Sequence, residues 1–214
     1  MLVISSIKMN NKPYESTQLF YEARQYVEDL LNAHLPEDYI FHSLSHTNDV
    51  VIACNLIAEH EQLDAEVHEN LLIAACFHDT GFIKTYENHE AISIQLAEQF
   101  MNNKGLSRKR MDNIAGLINV TREDQEPAAI QEKILCDADC YYLSKSNYQE
   151  YLYQLRNEWE KLLNRTYTDK EWLLMNLNFM NSHTYYTRYA QENWNEMKAN
   201  NLGFIEKVSA VLVE

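Results

Sequence analysis

The chain has 214 residues, with 46% hydrophobic and 23% charged residues, proportions that exclude a disordered tail or a fibre and are sufficient for one buried core. Only 4 Gly and 3 Pro occur, too few for the frequent turns of an all-β sandwich or barrel, so the expectation is an all-α protein. The formal net charge of −14 works against binding nucleic acid or anionic membrane surfaces and favours a small ligand whose site carries its own cations.

Apolar residues recur every three or four positions from the first helix onward, where Leu19, Phe20, Ala23, Tyr26, Val27, Leu30 and Leu31 are expected on one face. A second helix is predicted from about Ser45 to Glu59. A third begins after Asp64 and ends past Phe77, near Gly81. Asn88 and Ser107 stand as caps of the fourth and fifth helices, the fourth turning Ile92, Leu96 and Phe100 inward. Pro127 is placed in the first turn of the sixth, which runs through Ile130, Ile134, Leu135 and Ala138. Asn147 opens a Tyr-rich helix to about Leu163, Thr168 with Glu171 forms a capping box for the next, and residues 185–213 read as a last helix. The whole is taken as one domain over residues 1–214, with a core of about 38–145 and a helical extension of about 146–214.

No apolar run approaches the roughly 18 residues that span a bilayer, and the N-terminus has no charged start followed by an apolar core, so a cytoplasmic protein is expected. Cys54, Cys76, Cys136 and Cys140 lie in apolar segments without C-x-x-C spacing and read as reduced core thiols, although Cys136 and Cys140 are one turn apart and so spaced to share a metal.

Three places carry chemistry. His78 and Asp79 close the apolar run Leu71 to Phe77, where a carboxylate needs a cation as partner, either Arg or Lys or a metal ion. His42 and His46 lie four apart at the entrance to the second helix. Cys136-Asp137-Ala138-Asp139 again sets acids in an apolar helix. A histidine, a His-Asp pair and a distant Asp from three helices are a sufficient ligand set for one divalent ion with open positions.

With these residues in view, the order His46, His78-Asp79, Asp139 resembles the H…HD…D signature of the HD superfamily of metal-dependent phosphohydrolases. The segments Phe41 to Thr47, Ala74 to Phe82 with Asn88-His89-Glu90, Ile134 to Asp139, and Ser182 to Thr187 are similar to its bacterial predicted-phosphohydrolase subgroup, so the likeness runs over about residues 38–205. The resemblance implies an HD-type helical bundle and a divalent metal cofactor (Mn, Mg, Fe, Co, Ni or Zn) held by His46, His78, Asp79 and Asp139, with Asp137 as the competitor for the last place. It also implies His42 as general acid, by likeness to the cyclic-nucleotide phosphodiesterase branch, and Asp79 or Asp139 as the group that orients the attacking water. The expected activity is hydrolysis of a small phosphate ester, a nucleotide in particular, with a non-hydrolysing nucleotide sensor and a di-iron oxygenase as rivals.

His89 and His183 are candidates for a second metal or for substrate contact, and Lys84, Arg122 and Arg156 for holding phosphate. His34, His60 and His68, in polar helix-end contexts, are expected at the surface. Tyr141, Tyr142, Tyr148, Tyr151 and Tyr153 are expected as core and rim.

Overall fold

The structure is a computed structural model that describes residues 17–211; residues 1–16 and 212–214, including the predicted end of the last helix at Val213, lie outside the described residues. Among the described residues there are nine α-helices and no strand. They are α1 (Gln18–His34), α2 (Leu44–His60), α3 (Ala65–Phe77), α4 (His89–Asn103), α5 (Arg108–Asn119), α6 (Ile130–Asp139), α7 (Tyr148–Leu162), α8 (Asp169–Ser182) and α9 (Arg188–Val211). Short 3₁₀ turns follow α3 (Thr80–Ile83) and α6 (Cys140–Ser144).

α3 is the axis. Its residues from His68 to Phe77 are all buried, because α1, α2, α4, α5 and α6 cover every side of it. Such a helix cannot be amphipathic, which is why its sequence reads as an unbroken apolar run. The main core joins Leu71, Leu72, Ala75 and Phe77 of α3 to Val27 and Leu31 of α1, Ile57 of α2, Ile114 and Ile118 of α5, and Ile134 and Leu135 of α6. A second apolar cluster, around Leu143, Tyr148, Leu152, Trp172, Met180 and Ile205, is built by α7, α8 and α9.

Side-chain caps account for some of the helix starts. The Thr168 hydroxyl accepts from Glu171 N at 3.2 Å while the Glu171 carboxylate accepts from Thr168 N at 2.8 Å, the reciprocal box its sequence predicts. Ser107 caps α5 through Arg110 N at 3.4 Å. Asp64 and Asn88 precede their helices without a side-chain cap bond, and Asn88 instead takes a left-handed conformation (φ 56°) that turns the chain into α4.

Several expectations are corrected. Pro127 does not open α6; it is buried in the connection, and the helix starts at Ile130 with Glu132 accepting from the backbone N–H of Ala128 and Ala129 at 2.8 and 2.9 Å. Ile130 itself is 39% exposed, so the inward face of α6 begins at Ile134. In α1 Tyr26 is exposed and Leu30 only half-buried. In α4 the fully buried line is Ser93, Ala97, Phe100 and Met101, with Ile92 and Leu96 half-buried beside it. α9 begins at Arg188, because residues 183–187 form an extended connection held elsewhere. His68 is buried, with Nε2 3.0 Å from Asn55 Oδ1, since the crowding around α3 leaves no polar side for it to occupy. His34 and His60 are exposed.

Candidate metal centre and substrate cleft

Three helix ends meet at one point. His46 lies in the first turn of α2, His78 and Asp79 follow the last turn of α3, and Asp139 is the final residue of α6. Ligand atoms of His46, His78 and Asp139 all lie within 4.8 Å of one another. His46 Nε2 is 3.0 Å from Asp139 Oδ1 and 3.4 Å from Asp79 Oδ2; His78 Nε2 is 3.2 Å from Asp79 Oδ2 and 3.5 Å from Asp139 Oδ1.

The donor chemistry fits a divalent cation. His78 Nδ1 donates to the carbonyl of Ala75 at 2.9 Å, which leaves the Nε2 lone pair directed at the cluster. His78 Nε2 and Asp79 Oδ2 are both buried, and neither makes a hydrogen bond of acceptable geometry despite their closeness. Two such atoms left without partners would cost several kcal/mol in a core, so two imidazole nitrogens and two carboxylates converging on one point are accounted for by an ion between them.

The electrostatics agree with this convergence. Burial disfavours charge on His78, but the Asp79 and Asp139 carboxylates outweigh it and raise its pKa well above the usual histidine range. Burial likewise works against the charge on Asp79, and the His78 imidazole with the His89 contact overcomes it and holds the carboxyl well below its usual range. Asp139 is held low in the same way, against its burial, by His46 and His78. All three shifts have one cause, the close approach of imidazoles and carboxylates at this point.

The last place belongs geometrically to Asp139. Asp137 points to the other side of α6, where its carboxylate accepts from Tyr186 N, Thr187 N and the Thr187 hydroxyl, each at 2.7 Å. It ties the 183–187 connection to the core. Cys136 and Cys140 take no part in the cluster: burial pushes the Cys136 thiol up to about 12, and Cys136 Sγ lies 3.7 Å from the carbonyl of Val120.

His89 joins the edge of the centre, its Nε2 3.3 Å from Asp79 Oδ1 and its ring stacked on Phe82 at 3.8 Å. Gly81 makes this approach feasible. A Cβ at Gly81 would stand 1.9 Å from the His89 carbonyl oxygen, and Gly81 N donates to Ser93 Oγ at 2.8 Å, so the 3₁₀ turn after α3 lies directly against the start of α4.

His42 stands one helical turn before His46 and is held by Glu158 of α7, a residue that sequence reasoning did not single out. One Glu158 oxygen accepts from the backbone N–H of Phe41 at 2.9 Å and of His42 at 3.1 Å, and the other meets His42 Nδ1. The polar stretch 156–160 looks like any solvated helix face, yet Glu158 is fully buried. Nothing in its local sequence marks it, because its partner lies 116 residues away.

The centre opens into a cleft of about 810 Å³. Phe41, His42, Asp79, Phe82, Tyr86 and Asp139 line it near the centre, and Trp159, Arg165, Met175, Asn176 and Phe179, from beyond residue 143, line it too; Arg122 also lines it, paired with Asp124 at 3.0 Å. The other candidates fall outside. Lys84 is exposed away from the cleft lining, and Arg156 is committed to Glu160 (2.9 Å) and Asp169 (2.7 Å), where it braces α7 against the start of α8. His183 does not line the cleft; it packs edge-on against Tyr185 at 4.7 Å, so aromatic packing accounts for it and a second-metal role does not. Tyr142 and Tyr148 are in or beside the core, whereas Tyr153 is 69% exposed.

Comparison with known proteins agrees with this geometry. Residues 43–143 match the family model of the HD domain, the span that supplies His46, His78, Asp79 and Asp139. Among solved structures the chain is similar to one described as a predicted HD superfamily hydrolase from an uncultured Thermotogales bacterium, at 18% identity and a TM-score of 0.57 over 90% of both chains, a likeness of fold. No curated protein matches it. No described helix is long and apolar enough to cross a membrane.

Proposed function

We propose that the protein is a metal-dependent hydrolase of small phosphate esters, a nucleotide being the favoured substrate. The observation that carries this reading is the convergence of His46, His78 and Asp139, with Asp79 against both imidazoles, at the floor of a cleft beside a histidine fixed by a buried carboxylate. A divalent ion held by these four residues supplies Lewis-acid polarisation of a phosphoryl oxygen and makes water a stronger acid.

The chain's own groups do the remainder. Asp79 and Asp139 accept hydrogen bonds from the attacking water and turn its lone pair toward phosphorus. His42, on the lip of the centre, gives a proton to the departing ester oxygen, and Glu158 keeps Nδ1 occupied so that Nε2 is the nitrogen presented. No nucleophilic Ser or Cys is required, because phosphoryl transfer depends on positioning and charge neutralisation. The aromatic walls reduce competing water around the ester. Elemental analysis of the purified protein, followed by phosphate release from a panel of mono-, di- and cyclic nucleotides with Mn, Mg, Co and Ni, tests the proposal. Release that requires the ion and is abolished in Asp79→Ala is the expected result; metal-loaded protein inert on the whole panel overturns it.

A further inference from the structure

The HD match ends at residue 143, but the cleft does not. One wall of it comes from α7, α8 and the link between them: Trp159, Arg165, Met175, Asn176 and Phe179. Trp159 is half-buried and braced from behind by buried Trp172, ring to ring at 5.6 Å and 89°, so its indole is a rigid wall. Tyr86, another aromatic ring of the cleft, packs on Phe82 at 5.2 Å. Asn176 is 8% exposed; its Nδ2 donates to Trp172 O at 2.9 Å, which leaves the amide oxygen as an acceptor in the cleft lining.

The charges in the cleft limit what can occupy it. Glu87, Glu90, Glu123 and Asp124 line it, and Asp124 neutralises Arg122. Arg165 makes no ion pair among the described residues and is the uncommitted cation of the lining. A ligand trailing several phosphates would lay negative charge against these carboxylates with a single arginine to offset it. A ligand with one phosphate at the metal centre and a flat, uncharged ring against the wall of α7 and α8 meets no such repulsion.

Resting on the phosphohydrolase reading, we propose that the extension beyond the HD domain forms a base subsite, and that the substrate class is the nucleoside monophosphate. The base lies against Trp159 with a ring N–H or exocyclic amine donating to Asn176, Arg165 approaches the sugar-phosphate, and the acidic wall excludes di- and triphosphates. In turnover the water oxygen forms a new bond to phosphorus, and the bond from phosphorus to the ester oxygen breaks with its electron pair going to that oxygen. That oxygen takes the proton of His42, water's proton goes to solvent and then restores His42, and the products are a nucleoside and orthophosphate.

The test is equilibrium binding, by calorimetry, of adenosine 5′-monophosphate, ribose 5-phosphate and adenosine 5′-triphosphate to the metal-loaded protein, with phosphate release measured in parallel. Base stacking is worth roughly tenfold or more in affinity, so the monophosphate binds at least about tenfold tighter than ribose 5-phosphate and tighter than the triphosphate. Trp159→Leu brings the monophosphate close to ribose 5-phosphate, whereas Tyr153→Ser, on the exposed side of α7, leaves both affinities unchanged. Equal affinity for the monophosphate and ribose 5-phosphate in the wild type overturns the base subsite even if phosphate is released, and tighter binding of the triphosphate overturns the monophosphate as the substrate class. Base-dependent binding without phosphate release supports the subsite and overturns the hydrolase reading instead.

Discussion

Glu158 and His42, 116 residues apart in sequence, form a pair in which one buried carboxylate satisfies two backbone N–H groups and the imidazole at once. The pair fastens α7 to the lip of the metal centre, so the segment beyond the HD match fixes the position of the residue assigned to protonate the leaving group.

Glu158→Gln keeps the shape and removes the charge. It is expected to lower turnover of a nucleotide by roughly tenfold with metal content unchanged, whereas Glu158→Ala also leaves the Phe41 and His42 amides without an acceptor and lowers stability by about 2 kcal/mol. Thermal melts and phosphate-release rates on both variants check this; a Glu158→Gln enzyme as fast as wild type contradicts it.

A proton donor matters in proportion to how much the leaving oxygen needs the proton. His42→Ala is expected to slow nucleotide hydrolysis by about 10²-fold or more, yet keep much of its rate on a p-nitrophenyl ester, whose leaving group departs as an anion. Equal proportional losses on the two substrates, with metal intact, assign His42 to substrate positioning.

Asp137 and Asp139, two residues apart, have separate tasks. Asp139→Ala is expected to empty the metal site. Asp137→Ala is expected to retain metal but destabilise by about 3 kcal/mol, because the Tyr186 and Thr187 amides lose their acceptor. Metal analysis and melting curves of the two proteins side by side decide it, and loss of metal in Asp137→Ala alone would reverse the assignment.

His183 gives stability a pH dependence of calculable sign. Burial first, and Lys198 second, lower its pKa to about 4, and its Nδ1 is buried without a partner. Above the ordinary value of about 6.5 neither folded nor unfolded chain carries the proton and nothing is lost. As pH falls from about 6.5 toward 4 the unfolded chain takes the proton first, so stability declines, by about 3 kcal/mol in all. Melting temperatures of wild type and His183→Gln between pH 7 and 4.5 are expected to differ in slope, the variant declining less; parallel slopes contradict it.

What was legible in the sequence was whatever left a local anomaly. His78 and Asp79 stand out because they terminate an apolar run, and the box at Thr168 and Glu171 because both members are three residues apart. Glu158 left no such mark, since its burial comes from Phe41 and His42 in a distant loop. His68 misled for the converse reason: a histidine early in a helix reads as solvated, and only the packing of other helices around α3 shows it enclosed. Arg156 and Lys84 were indistinguishable from Arg122 and Arg165 by type, and their separation depends on which side of α7 and of the 3₁₀ turn faces the cleft. Asp137 and Asp139 are equivalent in a pattern and opposite on a helix, 200° apart at 100° per residue.

The central claim is that His46, His78, Asp79 and Asp139 hold a divalent ion on which both fold and activity depend. An ion bound to the native state alone stabilises it by about 2.7 kcal/mol at a hundredfold excess over its dissociation constant. The most direct measurement is elemental analysis of wild type and His78→Ala, with a melting curve and a phosphate-release assay before and after chelation. At least one divalent ion per chain is expected in the wild type and none in the variant, with chelation lowering the melting temperature by several degrees and stopping release; undiminished metal in His78→Ala, or an unchanged melt and rate after the ion is removed, rules the metal centre out.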